Sequence, residues 1–125
     1  MQRKPPVIFY DKLTYTIMTI YISLPITGQD DKKAREKADL TKAMLSRAGH
    51  KVITPFEVYA GKNPDYKDHI DFDIRALLDC DAIYLCDGWQ FSQGCQLEAE
   101  AARIYKLQIM HERQPSDGGA YFFNR

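Results

Sequence analysis

Ala82-Ile83-Tyr84-Leu85-Cys86 is an apolar run that leads into Asp87-Gly88-Trp89-Gln90-Phe91-Ser92, and Gln93-Gly94-Cys95-Gln96-Leu97-Glu98 then opens a helical pattern reaching about Lys106. A buried strand, a glycine-bearing loop and a helix start form the unit with which α/β proteins hold ligands at a strand's carboxyl end. Gly94 stands four residues before Glu98. Helical side chains lean toward the N-terminus, so the Glu98 carboxylate lies over the turn of position 94 and faces open space there. A glycine in a helix costs about 1 kcal/mol relative to alanine. We read its use here as room for a substrate beside a carboxylate.

Upstream, Ile17 to Ser23 is apolar and β-branched, which predicts a central strand. Leu24-Pro25-Ile26-Thr27-Gly28 forms a loop, and Asp30-Asp31 offer acidic caps for a helix running to about Ala48, ended by Gly49. Ala34, Ala38, Leu45 and Ala48 mark its inner side, while Asp31 with Arg35 and Lys32 with Glu36 mark a solvated outer side. Val52-Ile53-Thr54 is a second short strand stopped by Pro55. The stretch Phe56 to Asp65 contains Gly61 and Asn63-Pro64 and reads as a loop, long enough for a lid or pocket wall. A helix over about Tyr66 to Leu78 follows, with Ile70, Ile74, Leu77 and Leu78 as its buried stripe, and Leu107 to Met110 gives a last short strand. Strands alternating with helices predict an α/β fold with a parallel sheet covered on both faces.

The chain of 125 residues is long enough for one domain with a single core. We divide it into an extension (1–16), in which Val7-Ile8-Phe9-Tyr10 offers a weak edge strand, a domain (17–112) and a tail (113–125). Met18, directly before the first strong strand, is a second candidate start. The tail, with Gly118-Gly119 and Tyr121-Phe122-Phe123, reads as irregular, its aromatics packing on the domain or on another subunit. Asp11 and Lys12 interrupt the apolar stretch behind the basic start, so no signal peptide is expected.

Seventeen acids balance seventeen bases, which leaves no electrostatic argument for nucleic acid or an anionic membrane as partner. No apolar run approaches the roughly 20 residues of a membrane helix. Cys80, Cys86 and Cys95 are odd in number and lack a CxxC pair, so they read as reduced thiols in a cytoplasmic protein, Cys86 on a buried strand. His50, His69 and His111 share no metal-ligand spacing with them, and no metal site or cofactor is expected.

Glu98 is the first candidate for chemistry: it either attacks an electrophilic carbon or acts as a general base. The plain alternative is a solvated helix acid, as Glu100 is with Arg103 at i+3, but Glu98 has Gly94, Ala101 and Ala102 on its side. Ser92 is a natural N-cap, and its hydroxyl with the exposed helix N–H groups also suits an anion such as phosphate. Asp73 borders the apolar stripe of its helix, whereas Asp71 pairs with Arg75 and reads as solvated. Asp71-Phe72-Asp73 is not the aspartate pair of metal-dependent phosphatases, which follows a strand. Tyr21 on the first strand is either core or a site residue. Trp89 and Phe91 either stack on a planar base or cover the sheet end.

Three blocks carry a likeness over about Thr19 to Met110: Ile20-Tyr21-Ile22-Ser23-Leu24-Pro25-Ile26-Thr27-Gly28, Asp73 to Asp81, and Ser92 to Glu98. In these the chain resembles the nucleoside 2-deoxyribosyltransferase-like superfamily, a small branch of it above all, and is similar to the N-glycosidases of nucleoside 5′-monophosphates. The resemblance implies a flavodoxin-like or Rossmann-like three-layer sandwich with a parallel sheet of four to five strands. It implies a glutamate nucleophile at Glu98, a tyrosine near the reacting sugar at Tyr21, and an aspartate assisting the departing base at Asp73. Six residues before the glutamate, transferases hold an aspartate for the 5′-hydroxyl and monophosphate hydrolases a serine for the phosphate; here stands Ser92.

The expected activity is cleavage or transfer of an N-glycosidic bond on a nucleoside or its 5′-monophosphate, in a cytoplasmic homo-oligomer, with no cofactor. Ser92, Gly94, Ser23, Thr27, Gly28 and Trp89 are its expected substrate contacts. The alternative is a module that binds a nucleotide without turning it over. Two departures bear on this choice. Leu24 replaces a common glycine and is expected to narrow the approach to the sugar, and Ala99-Glu100 replaces the usual Gly-Ala.

Overall fold

The computed structural model describes residues 7–10, 13–58, 73–112 and 123–124. Its strands are β1 (Val7–Tyr10), β2 (Leu13–Thr16), β3 (Thr19–Ser23), β4 (Lys51–Ile53), β5 (Ala82–Leu85), β6 (Gln108–His111) and β7 (Phe123–Asn124). Its helices are α1 (Asp31–Arg47), α2 (Pro55–Val58), α3, described over 73–78, and α4 (Gln93–Ile104), with a 3-10 turn at Trp89–Phe91.

β5 is buried throughout and β3 from Ile20 onward, so both need cover on both faces. The cover follows from strand alternation. Ile20, Ile22, Leu24, Tyr84 and Cys86 pack with Ala34, Ala38 and Leu45 of α1 on one face. Tyr21, Ile83 and Leu85 pack with Leu77 of α3 and Ala102 of α4 on the other. Each fully buried aliphatic or aromatic side chain in these clusters contributes about 1.5–3 kcal/mol.

The main sheet has the order β4-β3-β5-β6-β7, and its first four strands are parallel. Counted within the parallel set the order is 2-1-3-4, the flavodoxin-like arrangement, whose ligand crevice lies where the winding reverses, between β3 and β5. There Ile20 to Ser23 run in register with Ala82 to Leu85. The fold class expected from the sequence is the one found.

Local differences have local reasons. β1 pairs antiparallel with β2 in a two-stranded sheet of its own, and not with the main sheet. The tail adds a two-residue strand, β7, antiparallel on β6, where the sequence read as irregular. α1 begins where expected, the Asp30 side chain accepting from the Lys33 amide at 2.9 Å, and ends at Ala48 before Gly49, whose φ of 96° only glycine adopts without strain. Its inner stripe, however, is Ala34, Ala38, Thr41 and Leu45, with Ala48 exposed. Thr41 fits inside because its hydroxyl donates to the Lys37 carbonyl at 2.8 Å. In α3 Leu77 is fully buried but Leu78 is exposed. Ile70 and residues 59–72 of the expected loop and helix lie outside the described residues.

Pro55–Val58 is one helical turn and not the start of a loop. Thr54-Pro55-Phe56-Glu57 has proline at the first helical position and a glutamate three residues after a threonine, and Glu57 Oε1 accepts from the Thr54 amide at 3.2 Å.

Candidate active site

Tyr21 and Ser23 are two residues apart on β3 and therefore project from the same face, toward α3 and α4. Cys95, Glu98 and Ala102 form the inward stripe of α4, at the spacing of one helix face. The two sets meet at Glu98. Its Oε2 accepts from the Tyr21 hydroxyl at 2.8 Å and its Oε1 from Ser23 Oγ at 2.6 Å. Glu98 as a whole residue is 7% exposed, so it is among the buried polar side chains.

Asp73, at the head of the described part of α3, joins the same group. The Tyr21 hydroxyl also hydrogen-bonds Asp73, whose Oδ1 is buried and has no hydrogen-bond partner among the described residues. Burial pushes Asp73 up to about 8, the neighbouring Glu98 charge adds to this, and Tyr21 pulls the other way. Burial likewise pushes Glu98 up to about 7, against the Ser23 and Tyr21 hydroxyls, which favour its charged form. Of the two, Asp73 holds its proton to the higher pH. One proton donor and one carboxylate thus stand on either side of a tyrosine hydroxyl.

Ser92 caps α4, its Oγ accepting from the Cys95 amide at 3.3 Å. Among the described residues a Cβ built on Gly94 would meet nothing nearer than Ser92 Oγ at 4.0 Å, so they leave space beside the first turn of α4. Cys95, read from the sequence only as a reduced thiol, is buried against this cluster. The Ser23 and Ser92 hydroxyls both bear on its thiol, while burial drives its pKa up. The 92-95-98 spacing on one helix face was the signal that joins it to Ser92 and Glu98.

Thr27 and Gly28 occupy the exposed turn closed by the Gln29 amide on the Ile26 carbonyl at 3.0 Å. Gly28 has φ 78°, the left-handed value a type II turn requires at that position. No hydrogen bond among the described residues joins this turn to the Glu98 cluster. Trp89 is half-buried on the α3/α4 face, its ring 5.9 Å from that of His111. Phe91 is 91% exposed.

Leu24 does not stand over the carboxylate. It follows Ser23 on the strand, so it turns to the opposite face and packs with Ile20, Ile22 and Ala34. There it helps line a cavity of about 380 Å³ on the α1 side of the sheet's carboxyl edge, with Pro25, Lys33, Lys37 and Asp87. The rim beside it is tied down: Lys37 Nζ lies 2.6 Å from Glu112 Oε2, and Glu112 Oε1 accepts from the Asp87 amide at 2.9 Å. Among the described residues, no group of three His, Cys, Asp or Glu could hold a metal ion, and no helix is long and apolar enough to cross a membrane.

A 2-deoxyribosyltransferase from the psychrotolerant bacterium Bacillus psychrosaccharolyticus has a similar solved structure, with a TM-score of 0.56 and 20% sequence identity, over 74% of this chain and 70% of that one. The likeness to the nucleoside 2-deoxyribosyltransferase-like superfamily therefore stands at the level of the fold. No curated protein matches the chain in sequence. Residues 18–111, which hold every side chain of the cluster described above, match one family model, and by that match the chain belongs to the family described as domain of unknown function DUF4406.

Proposed function

We propose that the protein cleaves or transfers the N-glycosidic bond of a nucleoside 5′-monophosphate, with Glu98 as nucleophile. The observation that carries this reading is a buried carboxylate held by two hydroxyls beside a second carboxyl group that burial drives toward its protonated form. A carboxylate oxygen of Glu98 attacks the anomeric carbon, and the bond to the base nitrogen breaks with its electron pair going to the base. Asp73 gives its proton to that leaving nitrogen. Water or a second base then attacks the same carbon, the ester to Glu98 breaks, and the proton released returns to Asp73. Two inversions give net retention.

The fold shared with a 2-deoxyribosyltransferase supports a nucleoside as substrate class. Ser92 and the N-terminus of α4 support a 5′-phosphate, and the open space at Gly94 leaves room for the sugar. The Thr27-Gly28 turn serves the hydroxyls or the phosphate from the other loop, and Trp89 borders the site. We further take the protein to work in the cytoplasm as a homo-oligomer. Leu97, Ile104 and Tyr105 on the outer side of α4, with Phe91 before it, are exposed and support assembly. Light scattering on a sizing column tests this, a monomer at micromolar concentration being the contrary result.

Incubation with a panel of nucleosides and 5′-monophosphates, followed by chromatography of free bases, tests the reaction. Base release from at least one monophosphate, lost in Glu98→Gln, is expected. The low exposure of Glu98 favours a second reading, a nucleotide-binding module on the same fold. Saturable binding without base release, unchanged by Glu98→Gln, is its mark.

A further inference from the structure

Ser23 has a hydroxyl beside a candidate nucleophile, and such a group has two uses: it touches the substrate, or it holds the nucleophile. The surroundings decide between them. Ser23 is 0% exposed, and it closes the ladder at the centre of the sheet, paired with Leu85 and with its carbonyl accepting from the Cys86 amide at 2.9 Å. Its hydroxyl has one proton to give, and that proton goes to Glu98 Oε1 at 2.6 Å. No surface of Ser23 is left for a ligand.

We infer that Ser23 is a positioning residue that holds Oε1 of Glu98 from behind and touches no substrate, an inference that rests on the nucleophile reading above. Among the described residues, the groups facing Glu98 besides Ser23 are Tyr21 from β3, Asp73 from α3 and, on its own helix, Cys95. No cation among the described residues contributes to its ionisation; burial opposes the charge and the Ser23 and Tyr21 hydroxyls support it. Losing one donor therefore leaves a buried carboxylate with half its support. Tyr21 cannot make up the loss, because its hydroxyl already serves both Oε2 and Asp73. β3 is a rigid mount, which fixes the direction of Oε1 as well as its charge.

The test is the Glu98 carboxyl signal, followed by 13C NMR through a pH titration of the wild type, Ser23→Ala and Ser23→Cys. Ser23→Ala should move the midpoint up by roughly one pH unit, with Ser23→Cys, which keeps a weak donor of similar size, in between. In base release the kcat deficit of Ser23→Ala should then be about ten-fold at pH 6 and about two-fold at pH 8, with KM unchanged. A side chain that merely fills space moves neither the midpoint nor the pH dependence. A midpoint unmoved in both variants overturns the inference, as does a raised KM with kcat intact, which makes Ser23 a substrate contact. Should Ser23→Ala not fold, Ser23→Cys alone decides. If the wild type releases no base, the nucleophile reading fails by itself, while the titration still reports on Ser23.

Discussion

Asp73 on α3 and Glu98 on α4 face one another across a single hydroxyl, that of Tyr21, which bonds to both. The tyrosine proton goes to Glu98 Oε2, while burial raises both carboxyl groups, Asp73 further than Glu98. That ordering sets the first two expectations below.

The pH profile of kcat/KM should be a narrow bell. Its rising limb falls near 7, where Glu98 ionises, and its falling limb near 8, where Asp73 loses its proton. The two limbs belong to the pair and not to single residues. Glu98→Gln should abolish base release, a loss of at least about 10³-fold, with no limb left to measure. Steady-state rates from pH 5 to 10 check this; a flat profile contradicts it.

Stability should carry the same signature in reverse. The folded pKa values of Asp73 and Glu98 are raised, so their contribution is fully present at low pH and is lost as pH rises through about 7 to 8. Asp73→Asn cannot ionise and escapes that loss. Raised from 3.8 to about 8, Asp73 sets a ceiling of about 6 kcal/mol on the gain over the wild type between pH 4 and pH 9, and solvent screening at this half-buried site brings it to on the order of 2–3 kcal/mol. Denaturant melts of both proteins at the two pH values measure the gap.

Gly94→Ala separates folding from function. Among the described residues the added methyl meets nothing closer than 4.0 Å and it sits in a helix, so stability should rise by about 0.5–1 kcal/mol. If the sugar uses that space, KM for the monophosphate should rise about ten-fold, the equivalent of about 1.4 kcal/mol of binding. A more stable variant with unchanged KM shows that the space is not used.

Lys106 follows the end of α4 with φ 61°, a left-handed conformation that costs a residue with a Cβ. Lys106→Gly should stabilise the protein by up to about 1 kcal/mol, read from a urea melt, with activity unaltered.

The parts of this molecule that were legible in the sequence are those with long or strongly patterned signals. β3, β5, α1 and α4 each carry several residues of one periodicity, and Glu98 was marked by the glycine one turn before it. The two-residue β7 is too short to have a pattern of its own. The helical turn at Pro55 was written in Thr54-Pro55-Phe56-Glu57 but masked by a proline taken as a stop. Of the site, Glu98, Asp73 and Tyr21 were singled out, yet the bond between Ser23 and Glu98 spans 75 positions and no local spacing announces it. The packing of Leu24 under α1, on the face opposite Tyr21 and Ser23, follows from something the sequence did contain, the alternation of a strand's two faces.

That alternation gives β3 two separable duties. Changes at Ile20, Ile22 or Leu24 disturb packing under α1 and should be felt as less folded protein. Changes at Tyr21 or Ser23 also alter the company of an ionisable group. A saturation library scored once for cellular abundance and once for turnover per molecule should therefore split along this strand with a beat of two. Every second residue would answer mainly to the first score, and those between to both.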